Sequence, residues 1–428
     1  MFTAVDPKSV QDSYELAKTS YARLGIDTDA AIASALATPL SLHCWQTDDV
    51  AGLETKEEGT SGGGIMATGN YPGRARDGDE IRADLDKAMS IIPGVCRANV
   101  HACYAETGDA VVDRDALTPE HFAKWIAWAK AKGIGLDFNP TFFAHPKAND
   151  GYTLSHADEG IRTFWVKHAI ACRKIAEHMA NELGSPCVIN HWIPDGNKDS
   201  PADRWSPRAR LIKSLDEMLS DATGVDTTKC VDAVESKLFG LGSEDYVVGS
   251  HEFYVSYAIS RGVMPCMDMG HFHPTELIHD KLSAVLQFVD KMLVHVSRPI
   301  RWDSDHVVIF NDDVRAVFLE LARGNALSKM YVALDYFDAS INRIMAYAIG
   351  ARGTRKALLY ALLDPSKHLV DLESTGRNGE KLALMEEMKT MPFGAVWDKL
   401  CQEAGAPVGT GWIGEAVQYE KDVLSKRA

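Results

Sequence analysis

The sequence predicts an α/β protein built as a (β/α)8 TIM barrel, with an N-terminal helix ahead of it and a C-terminal helical extension behind. Three observations carry this. Short apolar runs alternate with helix-period segments, and counting from SLHCW (Ser41 to Trp45) gives eight such runs before residue 350. The runs are continuously apolar, as parallel strands covered on both faces are. Polar and ionisable residues gather at their C-terminal ends, the rim where active sites of this fold sit.

Taken in order, Val10, Tyr14, Ala17, Tyr21 and Leu24 recur at helical spacing, with Gly25 as a stop. SLHCW is the first strand. The long stretch after it carries Gly62, Gly63, Gly64, Gly69, Pro72 and Gly73, with Arg74 and Arg76. Loops of this length are uncommon unless they bind or cover something, so Gly59 to Gly73 is expected to be either a lid or a connector. RANVHACY (Arg97 to Tyr104) is the second strand. Thr118 then caps a helix with Pro119 in its first turn. Phe122, Trp125, Ile126 and Ala129 form its apolar face, and Gly133 ends it. GLDFNP (Gly135 to Pro140) is followed by a helix over Arg162 to Leu183 and by PCVINHW (Pro186 to Trp192). CVDAVESK, MPCMDMGHFHPTE, LVHVSRPIRWDSDH and MYVALDYFD complete the eight. Beyond Gly350 only helical patterns remain, around Leu382 to Met388, Val396 to Cys401 and Ile413 to Leu424, broken by Pro392, Gly405 and Pro407. The expected division is therefore a barrel over 1–350 and a helical extension over 351–428 that serves subunit contacts.

Composition narrows the function classes. The chain has 428 residues, 46% hydrophobic and 25% charged, with a net charge of −15 and no basic run. Nothing supplies an electrostatic footprint for nucleic acid. No apolar stretch approaches the ~18 residues of a membrane span, so neither partner class is expected. The eight cysteines are scattered without a CxxC pair, which fits a reducing, cytoplasmic setting.

The rim residues carry the chemistry. His43, Trp45, His101, Asn139, His191 and Trp192 end the early strands. Glu235, Asp268, His295 and Asp335 come from four consecutive later ones. His271, Asp303 and Asp305 form a second set. Oxygen-rich sets with one imidazole each and no thiolate favour Mn2+, Mg2+ or Co2+ over structural zinc. Two divalent cations would offset the clustered negative charge. A set of buried salt bridges is the alternative and would draw on Lys237, Arg298, Arg301 and Arg343. Trp45, Trp192, Phe142 and Phe143 could wall a sugar ring or methyl group, and Lys237 could reach a substrate oxygen. These residues point to a two-metal site without fixing its reaction.

The segments SLHCWQTDDV, ATGNYPGRAR, DFNPTFFAHP, TLSHADEGIR, WIPDG, DAVESKLFG, GHFHPTE, HVSRPIRWDSDHVV and LDYFDASINRI resemble those of bacterial L-rhamnose isomerases, from near residue 10 almost to the C-terminus. The resemblance implies a homotetramer of barrels that interconverts L-rhamnose and L-rhamnulose with Mn2+, the first step of L-rhamnose catabolism. Carried residue by residue, Glu235, Asp268, His295 and Asp335 would hold a structural metal that anchors substrate oxygens. His271, Asp303 and Asp305 would hold a catalytic one. The implied reaction is a 1,2-hydride shift in the ring-opened sugar, with Asp303 as the candidate proton relay. Lys237 and His101 would position or polarise O1 and the ring oxygen, and Trp192 and Asp335 would also contact substrate. The rivals are an isomerase acting mainly on another aldose, a two-metal hydrolase, and a non-catalytic sugar binder.

Overall fold

The computed structural model describes residues 2, 5–54, 69–239, 242–273, 275–300 and 303–427, with residues 303–305 described in backbone only. Eight parallel strands close into a barrel: β1 (Leu40–His43), β2 (Cys96–His101), β3 (Leu136–Asn139), β4 (Cys187–Trp192), β5 (Cys230–Glu235), β6 (Met264–Asp268), β7 (Met292–Val296) and β8 (Met330–Leu334). Each pairs with its sequence neighbour, and β8 closes on β1 with Ala333 opposite Ser41. Helices α1 (Pro7–Ala22) and α2 (Thr28–Ala37) precede the barrel. Helices α3 (Gly78–Ser90), α4 (Ala123–Lys132), α5 (Glu159–Leu183), α6 (Trp205–Met218), α7 (His251–Arg261), α8 (His279–Val285), α9 (Asp312–Arg323) and α10 (Arg343–Leu362) follow the eight strands in turn. Among the described residues no helix is long and apolar enough to cross a membrane.

Local signals act where the sequence places them. In α1, Asp6 accepts a hydrogen bond from Ser9 N, Pro7 opens the helix, and Val10, Tyr14, Ala17 and Tyr21 are its buried residues. The helix expected from Thr118 begins as a 3-10 turn, Pro119–Phe122, before α4, which buries Trp125, Ile126 and Ala129 and ends at Gly133 with φ 67°. The strands are shorter than the segments predicted for them, and at β1 and β2 the cause is visible. β1 stops at His43 because Thr47 N turns back to Cys44 O, which puts Trp45 in a 3-10 turn. β2 stops at His101 for the same reason, with Ala105 N bonding to Ala102 O.

The pleat decides which side chains enter the barrel. Val188, Ala233, Met264, Cys266, Leu293 and Ala333 pack together in its interior. At the N-terminal end Arg97 pairs with Asp137 at 2.8 Å, and Ser41 Oγ donates to the same carboxylate at 2.6 Å. The end of β8 is held by a close approach: a Cβ on Gly350 in α10 would collide with the hydroxyl oxygen of Tyr336, which donates to Ala346 O.

The division drawn at residue 350 falls inside α10, which runs unbroken to Leu362. Helices α11 (Ser366–Ser374), α12 (Asn378–Met388), α13 (Phe393–Glu403) and α14 (Gly411–Asp422) follow. The C-terminal segment is fastened to the barrel layer. Lys399 Nζ donates to Gln11 Oε1 at 2.8 Å, Tyr419 OH to Asp84 Oδ1 at 2.7 Å, and Arg427 forms a two-pronged pair with the same buried Asp84.

Candidate active site

Four side chains from the C-terminal ends of β5 to β8 converge on one point. Glu235 and Asp268 are the last residues of their strands, His295 is the penultimate residue of β7, and Asp335 follows β8 directly. One ligand atom from each lies within 4.8 Å of the others. His295 Nδ1 is 3.4 Å from Glu235 Oε1, 3.6 Å from Asp268 Oδ2 and 3.1 Å from Asp335 Oδ2. His271 Nδ1 is 3.1 Å from Glu235 Oε1. Despite these distances, Glu235 Oε1, His271 Nδ1 and both ring nitrogens of His295 are buried without a hydrogen-bond partner. The atoms approach one another but do not align as donor and acceptor. Orphaned buried polar atoms of this kind cost roughly 1–3 kcal/mol each, more when charged, unless something they all face satisfies them. A shared cation does so.

Each carboxylate is aimed by a hydrogen bond to its other oxygen. Asn190 Nδ2 donates to Glu235 Oε2. Ser297 Oγ and Gly270 N donate to Asp268 Oδ1 at 2.7 and 2.6 Å, and Trp45 Nε1 donates to Asp335 Oδ1 at 3.2 Å. One oxygen of every carboxylate is thereby left for the centre, the arrangement that orients metal ligands. Two of the cations that a salt-bridge arrangement would draw on, Arg343 and Arg298, are engaged elsewhere. Arg343 pairs with Asp49 at 2.7 Å, Arg298 Nε donates to Val307 O, and Lys237 Nζ stands 5.5 Å above the Trp192 ring; Arg301 lies outside the described residues.

The electrostatics show the same demand for positive charge. Burial alone would depress the His271 imidazole, but Asp268 and Glu235 outweigh it and raise it to about 10. Burial likewise pushes Glu235 up, and the facing His295 and His271 pull it well below the carboxylate range. A divalent cation meets that demand while the imidazoles stay neutral and able to ligate. The donor set of three carboxylates and one imidazole suits a hard or borderline ion. Cys266 Sγ also lies within reach of Glu235 and His295, but burial raises its pKa, so it remains a thiol.

Aromatic rings flank the cluster. His101 meets Trp45 edge-on at 4.7 Å and Phe143 at 5.7 Å; Phe143 meets Trp192 at 5.6 Å, and Trp192 stacks against His271 at 6.4 Å. Burial, with the Arg114 charge nearby, depresses His101 to about 3, so its ring is neutral. Its Nδ1 lies 3.3 Å from Thr141 Oγ1. His101, Trp192 and Lys237 therefore stand on one wall beside the four donors.

Other rim candidates are drawn away. His191 points to the helix side, where its Nε2 lies 2.8 Å from Asp232, itself paired with Arg173 of α5. Residues alternate along β4, so Asn190 and Trp192 face inward and His191 cannot. His43 is packed among Trp45, Tyr336 and Tyr347, and burial depresses it to about 3, making it a neutral core residue. Phe142 packs on Trp165 and His168 behind the wall. Asn139 donates to Asn99 within the barrel. The backbone of Asp303–His306 forms a hairpin with Arg298–Ile300, but the Asp303 and Asp305 side chains lie outside the described residues. So do residues 55–68 of the glycine-rich stretch proposed as a lid. Asn190, Ser297 and Cys266 were missed. Period-two alternation puts Asn190 on the face of Trp192 and Cys266 on that of Asp268, but which face points to the centre is set only by the barrel.

A family model described as L-rhamnose isomerase (RhaA) matches residues 8–427. Curated L-rhamnose isomerases are similar along the whole length. The protein of Mannheimia succiniciproducens is 53% identical over 419 residues, covering 98% of this chain and 99% of that one. That of Citrobacter koseri is 51% identical with the same coverage. Among solved structures, D-psicose 3-epimerase with D-tagatose from Clostridium cellulolyticum H10 aligns at a TM-score of 0.47 and 11% identity, over 75% of this chain and 97% of that one, a level that adds nothing to the fold described above. The match spans all eight strands and every donor of the buried cluster, and on that ground the chain belongs to the L-rhamnose isomerase family.

Proposed function

We propose that the protein is a metal-dependent aldose–ketose isomerase that interconverts L-rhamnose and L-rhamnulose, the first step of L-rhamnose breakdown. The observation that carries it is the convergence of Glu235, Asp268, His295 and Asp335, each carboxylate aimed from behind, in a member of this family. These four would hold one divalent cation, and His271, Asp303 and Asp305 a second, with Mn2+ as the ion and Mg2+ or Co2+ as substitutes. When bound, the cations supply Lewis-acid stabilisation of negative charge on the sugar oxygens.

The chain's own residues do the rest. The wall of Trp192, Phe143 and His101 excludes water and lies along the apolar side of the open-chain sugar. Lys237, held over the Trp192 face, donates to O1. Neutral His101 positions the ring oxygen during opening. Asp335, steered by Trp45, accepts from a sugar hydroxyl as well as ligating. Asp303 moves the proton between O1 and O2 while a hydride passes between C1 and C2. An apolar wall discriminates one methyl weakly, which supports related aldoses as slower substrates. We further propose a cytoplasmic homotetramer in which residues 351–428 supply subunit contacts.

The test is ketose formation from L-rhamnose deuterated at C2, using chelator-stripped protein with and without Mn2+, Mg2+ or Co2+. Metal-dependent product retaining the label at C1 is expected. Label lost to water would replace the hydride shift with an enediol, and no product with any ion would remove the isomerase reading.

A further inference from the structure

The wall beside the metal cluster is held from behind by one buried arginine that belongs to neither. Arg114 lies in the 3-10 turn Arg114–Ala116, between β2 and α4, and is 2% exposed. Its guanidinium donates to three carbonyls of a single loop: Thr141 O at 2.6 Å, Phe143 O at 2.6 Å and Ala144 O at 3.2 Å. For these carbonyls to converge on one group the loop must curl, and Ala144 takes φ 52°, in the left-handed region that non-glycine residues avoid. The remaining edge of the guanidinium makes a two-pronged pair with Glu54, Nε to Oε1 at 3.1 Å and Nη2 to Oε2 at 2.8 Å.

Both partners of this pair are tied to the site. The loop that Arg114 gathers presents the Phe143 ring to His101 and to Trp192, and Thr141 Oγ1 to His101 Nδ1. Glu54 adjoins Leu53, whose N donates to Cys103 O at 2.8 Å and so latches the chain after β1 to the turn after β2. Cys103 N in turn donates to Thr141 Oγ1 at 3.1 Å. A planar, five-donor guanidinium can satisfy three carbonyls and a carboxylate at once, whereas an ammonium cannot reproduce that fork.

We propose that the Arg114–Glu54 pair is a positioning device for sugar binding: it couples the segment after β1 to the 141–144 loop and so sets Phe143 and His101 against the substrate. The inference rests on the isomerase reading for its substrate and adds the part that governs how tightly that substrate is held. Neither residue touches Glu235, Asp268, His295 or Asp335, so the pair acts on sugar affinity and leaves metal loading alone.

Glu54→Gln keeps the size of the side chain but removes the charge-assisted fork, and Arg114→Lys keeps the charge but loses the geometry. In full-length, Mn2+-loaded protein each should raise KM for L-rhamnose about tenfold while kcat stays within about twofold, since small misplacements at a distance act through binding geometry. Manganese content should be unchanged. The double variant should be no worse than Arg114→Lys alone, because one interaction is lost in either case. Amide hydrogen exchange should speed up in peptides over 141–145 while β3 stays protected. Unchanged KM, or kcat and manganese falling together, would overturn the proposal. If the unaltered protein turns over no L-rhamnose, the exchange result still decides. Faster exchange confined to 141–145 would uphold the coupling and count against the substrate alone, and unchanged exchange would end the inference itself.

Discussion

Asn190 Nδ2 donates to Glu235 Oε2 and thereby turns the other oxygen of that carboxylate toward His271 and His295, 3.1 and 3.4 Å away. The metal-facing geometry of Glu235 is thus set by a neutral residue on the adjacent strand. In Asn190→Ala the carboxylate keeps its charge but loses its orientation. Affinity for Mn2+ should fall roughly 10- to 100-fold, the usual cost of losing an outer partner, with the far-UV spectrum unchanged. Calorimetric titration of chelator-stripped protein checks this, and wild-type affinity in the variant would show that Glu235 needs no guide.

Direct removal of donors is harsher. Glu235→Gln should lower metal occupancy as read by elemental analysis. His271→Ala should abolish turnover with the fold intact, and Asp305→Ala should do the same if that residue completes the second site. Full kcat in either would take the residue out of the site.

Stripping the metal should also lower thermal stability. Three carboxylates and two imidazoles would then face one another without the ion that reconciles them. A ligand present at a hundred times its Kd stabilises a fold by about 2.7 kcal/mol, so Mn2+ should raise the melting temperature of stripped protein by several degrees and chelator should reverse it. An unchanged melting temperature would favour self-sufficient ion pairs.

His168 offers a pH prediction away from the metal. Burial and the Arg114 charge depress it from 6.5 to about 3, and its Nδ1 lies 2.9 Å from Arg114 O. The unfolded chain binds a proton at this position below about 6.5 while the folded one does not, so the folded state loses stability as pH falls from there toward 3. The urea midpoint should therefore drop between pH 7 and pH 5, and His168→Gln should flatten that slope by about one proton. A variant whose slope matches wild type would mean that His168 is protonated in the folded protein.

How much was legible beforehand follows from these residues. Glu235, Asp268, His295 and Asp335 could be picked out because each ends an apolar run, where an ionisable group has no packing reason to be. Trp45 and Trp192 could be placed at the rim only by their position at the ends of such runs. Asn190 and Ser297 gave no such signal, since a neutral polar residue at a strand end is ordinary. The pairing of Arg114 with Glu54 spans 60 residues and two loops, with no periodicity to announce it.

By itself the sequence determined the eight strand–helix units, the rim on which the donors gather, and an oxygen-rich set suited to a divalent cation. Those follow from local hydrophobic period and residue type. Only the tertiary structure decided that Asn190 faces the centre while His191 pairs with Asp232 and Arg173, and that one oxygen of each carboxylate is held while the other is left for the ion. It also decided that α10 carries straight through the expected boundary at residue 350. The reason is physical: which way a strand residue points is set by pairing register and pleat, and a hydrogen bond between distant elements by where the closed barrel brings them, neither of which is written in the residue alone.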